Sequence, residues 1–237
     1  MLMAVADGAY GVRRRERRRQ LPEEVAAYVR EQILAGRLRA GDFLRMEPIA
    51  EAVGVSNTPV REGLLTLRSE GFVRLVPRRG FVVAPFTRQD VRDLFWAQAR
   101  LAGELAARAA TRITPERLRR LDEIVADHAE AAERGDGGLL ADLGHAFHRE
   151  INLAANAQRL GLLLASTVKH LPPHFYASLA AQVESTGRWH PALVEALRAG
   201  DGHRARTLME EHIGESADFV VAMLERNGLW QDAEREP

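Results

Sequence analysis

The apolar residues of this chain recur at helical spacing over most of its length and give way to β-branched and aromatic runs over one short stretch. Val25, Val29, Ile33 and Leu34 space an amphipathic helix that stops at Gly36, and Ala40-Gly41-Asp42 turns the chain back. Ile49, Ala50 and Val53 share a face of a second, short helix, which Gly54 can end in the left-handed conformation, with Val55 as an apolar plug. Ser56 or Asn57 can then cap a third helix, with Pro59 in its first turn, where a missing N–H costs nothing. Val60, Leu64, Leu65 and Leu67 are expected on its buried stripe, with Arg61 and Arg68 facing outward. A helix, a tight turn and a second helix form the geometry that fits into a DNA major groove. Phe72 to Val76 and Phe81 to Ala84 read as two strands joined by Pro77-Arg78-Arg79-Gly80, a β-hairpin with arginines at its tip.

After the connector Pro85-Phe86-Thr87 the pattern is purely helical. Thr87 and Asp90 have capping-box spacing for a long helix carrying Val91, Leu94, Phe95, Leu101, Leu105 and Ala109 and ending near Arg112-Ile113. Thr114-Pro115-Glu116 caps another that runs to Gly135, and Gly137-Gly138 opens a third reaching about Ala155. Leu160 to Val168 and Phe175 to Val183 are two more helical pieces separated by Pro172-Pro173, and Trp189 to Leu197 and Gly202 to Leu224 complete the set. The expected fold is mainly α: an N-terminal winged helix-turn-helix with a small β-hairpin wing over 21–86, then a C-terminal antiparallel all-α bundle of six or seven helices over 87–230. Residues 231–237 form a tail. Residues 1–20, with Arg13-Arg14-Arg15-Glu16-Arg17-Arg18-Arg19 and few apolar anchors, read as a basic flexible arm that either lies along phosphates or stays solvated.

Composition sharpens this division. The 237 residues suffice for two domains, and 46% hydrophobic with 28% charged residues is a globular balance. No apolar run is long enough to cross a bilayer, and the start lacks the apolar core of a secretory signal, so a cytoplasmic protein without membrane partners is expected. Without cysteine there are no disulfides and no thiolate metal sites, so any metal must use His, Asp or Glu. The net charge of zero conceals a split: through residue 86, 15 arginines stand against 10 acidic residues, a net +5, and the remainder carries −5. The basic half is the half with the pattern of a DNA reader. All eight histidines lie in the other half.

The run Ile49 to Gly71, with GVSNTPVREGL at its centre and the basic hairpin after it, resembles the amino-terminal domain of the GntR family of bacterial regulators over residues 21 to 86. That resemblance implies double-stranded operator DNA as partner, with Arg45, Ser56, Asn57, Thr58 and Arg61 at the reading helix and Arg78, Arg79 and Gly80 at the wing. Asn57 stands where the family often has arginine, and Glu47-Pro48 where many members place one, so the sequence preference of a relative does not carry over.

The second half resembles the FadR-type carboxy-terminal domain, or FCD, most closely from His190 to Ile213, including Ala196, Leu197, Asp201, Ala205, Met209 and the spacing of 22 between His190 and His212. In that family an aspartate and three histidines hold a divalent metal, and a carboxylate effector completes its coordination. The histidines correspond to His148, His190 and His212, but the aspartate's place is Gly144. The resemblance thus implies a three-histidine site for Zn²⁺ or Ni²⁺, with His145 or Asn152, on the face of His148, able to replace the lost ligand directly or through water. Asp142, six residues before His148, points away from that face. Arg100 pairs by spacing with Glu104 as a surface bridge, or, in the family's position, faces the cavity and forks onto the effector.

These features point to an effector-responsive, DNA-binding transcriptional regulator, a repressor of metabolic genes that binds an inverted repeat as a homodimer, with a small carboxylate at the metal altering DNA affinity. A metal-dependent hydrolase or lyase is the alternative from another class, since three histidines with an open position can activate water. Against it, the chain has no cysteine nucleophile, no glycine-rich phosphate loop and no obvious glutamate beside the histidines. A direct metal sensor is a third reading.

Overall fold

A computed structural model of the protein describes residues 20–171 and 183–230, together with the backbone helix that begins at Val183. The basic arm, the helical piece expected from Phe175 and the tail after Trp230 lie outside the described residues. Two compact units emerge. One takes the described residues up to Thr87 together with those from Leu224 onward, and the other spans Arg88–Met223.

In the first unit, helix α1 (20–34) buries Val25, Ala26, Val29, Ile33 and Leu34, the face its spacing predicts. Strand β1 (Phe43–Leu44), helices α2 (Met46–Val53) and α3 (Asn57–Ser69), and strands β2 (Val73–Val76) and β3 (Gly80–Val83) follow. The strands form an antiparallel sheet in the order β1-β3-β2, with Leu44 opposite Phe81 and Arg74 opposite Val82. The two-residue β1 carries too little pattern to be seen in the sequence, so the expected hairpin is in fact a three-stranded sheet. Gly54 takes φ 73°, and the Val55 N–H donates to the Ala50 carbonyl at 2.9 Å, which closes α2 and sets the turn into α3.

On α3, Val60, Leu64 and Leu67 are buried as expected, but Leu65 is 38% exposed. Its place on the inner face is taken by Gly63, where an added Cβ would lie 2.7 Å from the Pro22 carbonyl oxygen and 2.9 Å from Val25 Cβ. This contact lets α1 approach the backbone of α3. Arg30 of α1 reaches Glu70, just past α3, in a buried ion pair at 2.6 Å and lies over the Phe72 ring. That pair fixes the far end of the reading helix to the domain core.

The chain's last described residues belong to this unit. The Trp230 indole N–H donates to the Phe86 carbonyl at 2.6 Å, and the Asn227 carbonyl approaches Gly36 closely. The helical period could not disclose this, because it says which face of Gly202 to Leu224 is apolar and not what the chain after it packs on.

The second unit holds six described helices: α4 (Arg88–Ala110), α5 (Pro115–Arg134), α6 (Gly137–Ala154), α7 (Gln158–Val168), α8 (Val183–Arg198) and α9 (Gly202–Arg226), whose last residues belong to the first unit. Thr114 caps α5 through its hydroxyl and Asp136 caps α6 through its carboxylate, one residue ahead of the glycine pair. Leu105, Leu121, Ile124, Phe147, Ile151, Leu193 and Met209 fill one continuous core. No helix among the described residues is long and apolar enough to cross a membrane.

Candidate functional site

Three of the eight histidines converge inside the bundle. His148 comes from α6, His190 from α8 and His212 from α9, and their donor nitrogens all lie within 4.8 Å of one another. The Nε2 atoms of His148 and His212 are 3.3 Å apart, with the two rings nearly parallel, and the His190 ring stands edge-on to both. His190 is 3% exposed and stacks on Phe147 at 3.9 Å, which holds its plane. Two nitrogens on one tetrahedral zinc, each about 2.0–2.1 Å from it, lie roughly 3.3 Å apart, so the observed separation suits a shared ion.

The electrostatics favour the ligand form of each ring. Burial, with the neighbouring His212 and His145 adding to it, lowers the His148 pKa to about 3. Burial lowers that of His212 to about 4, and the Glu215 carboxylate opposes this shift. His190 is pushed well below its ordinary value by burial and then by His148, His212 and His128. All three are therefore uncharged imidazoles at neutral pH, with lone pairs available to a metal. His190 Nε2 and His212 Nδ1 are buried with no hydrogen-bond partner, a cost that a bound ion or its surroundings would remove.

A cavity of about 740 Å³ opens beside this cluster, with all three histidines on its wall. His145, His148, Arg149 and Asn152 of α6 line it at i, i+3, i+4 and i+7, so His145 and Asn152 share the cavity-lining face of His148. Gly144 lines it too, and an added Cβ there would meet no atom within 4 Å. The room for a carboxylate exists and the carboxylate does not.

Arg100 is not among the residues lining the cavity. Its side chain is 57% exposed and pairs with Glu210 of α9, while Glu104 pairs with Arg108 and Arg206, so neither the cavity-facing role nor a bridge to Glu104 describes it. The reason is rotation. Val91, Phe95, Ala102, Leu105 and Ala109 form the buried stripe of α4, and the polar residue on that stripe is Gln98, two positions or about 200° from Arg100. Gln98 is 2% exposed and lines the cavity, with its amide near the Thr167 carbonyl at 3.5 Å. An amide interrupting an apolar stripe was the available signal. Glu215, held by the Trp189 indole and Arg188, also lines the cavity and has no such signal.

On the first unit, Arg45 is exposed at the N-cap of α2, and Ser56, Asn57, Thr58 and Arg61 are exposed around the start of α3, with Ser56 at the N-cap but making no side-chain cap. At the wing tip Arg78 is exposed at φ 62°, a left-handed conformation uncommon for arginine, and Arg79 lies 4.5 Å from the centre of the Phe43 ring.

The GntR family of bacterial regulatory proteins matches over residues 21–83, and the FCD domain over residues 93–215. A protein of Paenarthrobacter nicotinovorans, described as a probable D-xylose utilization operon transcriptional repressor, is 27% identical over 212 residues, covering 89% of this chain and 92% of its own. An uncharacterized HTH-type transcriptional regulator of Mycobacterium tuberculosis is 26% identical over 70% of this chain, and the match spans 64% of that relative's length. Among solved structures, Escherichia coli McbR has the same fold, with a TM-score of 0.61 at 24% identity over 87% of this chain and 97% of its own. The matched families and the descriptions of the relatives are those of transcriptional regulators, which sets aside the hydrolase or lyase reading. With its winged helix-turn-helix followed by a histidine-bearing helical bundle, the chain belongs to the GntR family of bacterial regulatory proteins and carries an FCD domain.

Proposed function

We propose that this chain is a DNA-binding repressor of metabolic genes whose operator affinity is set by a small organic acid bound beside a divalent metal. The observation that carries the reading is the cluster of His148, His190 and His212, three uncharged imidazoles with nitrogens within 4.8 Å, on the wall of a ligand-sized cavity. These three residues hold Zn²⁺ or Ni²⁺, which supplies open coordination positions to an oxyanion. His145 and Asn152 flank the place that Gly144 leaves open and hydrogen-bond the ligand or a water there.

Two copies of the chain bind an inverted repeat, each placing α3 in a major groove. Arg45, Ser56, Asn57, Thr58 and Arg61 meet bases and nearby phosphates, and the Arg78-Arg79-Gly80 tip meets the flanking backbone. Their exposure at the starts of α2 and α3 and at the wing supports this assignment. The repressor reading is supported by the description of the Paenarthrobacter relative. The acid controls DNA binding only if it prefers one of the two dimer states, and a tenfold change in operator affinity needs about 1.4 kcal/mol of preference.

The test is metal analysis of tag-free protein together with operator binding. About one Zn²⁺ or Ni²⁺ per chain is expected, lost in His190→Ala/His212→Ala. If metal content is unchanged in that double variant, the site is elsewhere. Operator binding that responds to metal alone and to no organic acid would turn the reading into that of a metal sensor.

A further inference from the structure

The cavity beside the histidines is polarised. Among the described residues that line it, the fixed cationic group is Arg149, which follows His148 directly on α6 and has no ion-pair partner among the described residues. Its carboxylate, Glu215, is already engaged by Arg188 at 2.7 Å and the Trp189 indole at 2.9 Å. Away from that end, α4 presents Phe95, Ala102 and the neutral amide of Gln98, and α7 presents Leu162, Leu164 and Val168. Arg100, the guanidinium that would have charged the α4 wall, is turned outward to Glu210. Among the described lining residues the cationic group thus sits at the His148–Arg149 end, the Glu215 carboxylate is already paired, and the α4 and α7 walls are uncharged.

We infer that the effector is an amphiphilic monoacid whose carboxylate lies between the histidine cluster and Arg149 and whose apolar body runs along α4 and α7. This rests on the effector reading above and narrows it to one ligand class. An anionic head at that end gains a charge-assisted bond from Arg149. A second carboxylate reaching along α4 and α7 would be stripped of water against an uncharged wall. Size argues the same way: a volume near 740 Å³ is in the range that encloses a drug-sized molecule, whereas a two- or three-carbon acid leaves most of it unfilled. Gln98 supplies a hydrogen bond part-way along the body without adding charge.

The experiment is calorimetric titration of zinc-loaded, tag-free full-length protein with acetate, hexanoate, octanoate, 3-phenylpropionate, succinate and citrate. Affinity should rise along the straight-chain acids by up to about fourfold per buried methylene, and octanoate and phenylpropionate should exceed succinate and citrate. Arg149→Gln, a surface change, should weaken octanoate at least tenfold with zinc content unchanged, and Arg100→Gln should leave octanoate binding as it is. Succinate or citrate binding more tightly than octanoate would overturn the monoacid class while leaving an acid effector standing. Equal octanoate affinity in Arg149→Gln and the parent chain would remove Arg149 from the site. If none of the acids binds, both the class and the effector reading beneath it fall.

Discussion

Lowering the pH from 7.5 to 5.5 should leave the metal affinity of the folded protein almost unchanged, although every proposed ligand is a histidine. Metal binds the neutral imidazole, so a site of three ordinary histidines with pKa near 6.5 would be about 9% neutral per ring at pH 5.5 and would lose about a thousandfold in affinity. Here burial holds His148 near 3 and His212 near 4, with His190 also well below its ordinary value. At pH 5.5 a ring with a pKa of about 4 is still roughly 97% neutral, so no proton has to leave before the ion arrives. The same shifts make the metal-free fold acid-labile. In the unfolded chain these rings take up protons below about pH 6.5, whereas in the folded chain His148 does so only near pH 3, His212 near pH 4 and His190 well below its ordinary value. Their contribution is therefore fully present above pH 6.5 and is lost as pH falls. From the two values, His148 and His212 each cost the fold about 2 kcal/mol between pH 7.5 and 5, against a total stability on the order of 5–15 kcal/mol. Competition with a chelator of known pH dependence measures the first effect, and urea unfolding of metal-free protein at pH 7.5 and pH 5 measures the second. A thousandfold loss of zinc affinity by pH 5.5, or a urea midpoint that does not move by pH 5, would show that these rings are not the buried, neutral ligands described.

Three further outcomes are expected. Gly144→Asp restores a carboxylate where the cavity has room, and should slow zinc loss to a chelator by roughly tenfold or more; unchanged release would mean that position 144 does not face the ion. Arg61→Ala should cost roughly 1–3 kcal/mol on operator and little on random DNA if it pairs with a guanine, whereas Arg78→Ala should weaken both alike and flatten the salt slope, as fluorescence anisotropy across salt concentrations would reveal. Gly63→Ala forces a methyl group against Pro22 and Val25 and should destabilise the winged helix by about 1–3 kcal/mol in chemical denaturation, with an unchanged midpoint contradicting the close approach of α1 and α3.

Much of the architecture was legible in one dimension, because helix and strand periods are local properties of a chain. The stripe of Val25, Val29, Ile33 and Leu34, the glycine turn at Gly54, the hairpin around Arg78 and the cap at Thr114 all follow from residues a few positions apart. The split of charge between the halves was equally plain. Resemblance to a known family, rather than spacing, selected His148, His190 and His212 from eight histidines, since residues 42 and 22 positions apart have no local reason to meet. Tertiary packing alone decided the rest. It turned Leu65 outward and put Gly63 against α1, added β1 to the hairpin, and laid Trp230 on Phe86. It also chose the polar group on the cavity side of α4. Arg100 and Gln98 differ by two residues in sequence but by more than half a turn of helix, and only the partners of that helix determine which side faces the cavity. A periodic pattern specifies a face; what that face meets is a property of the assembled fold.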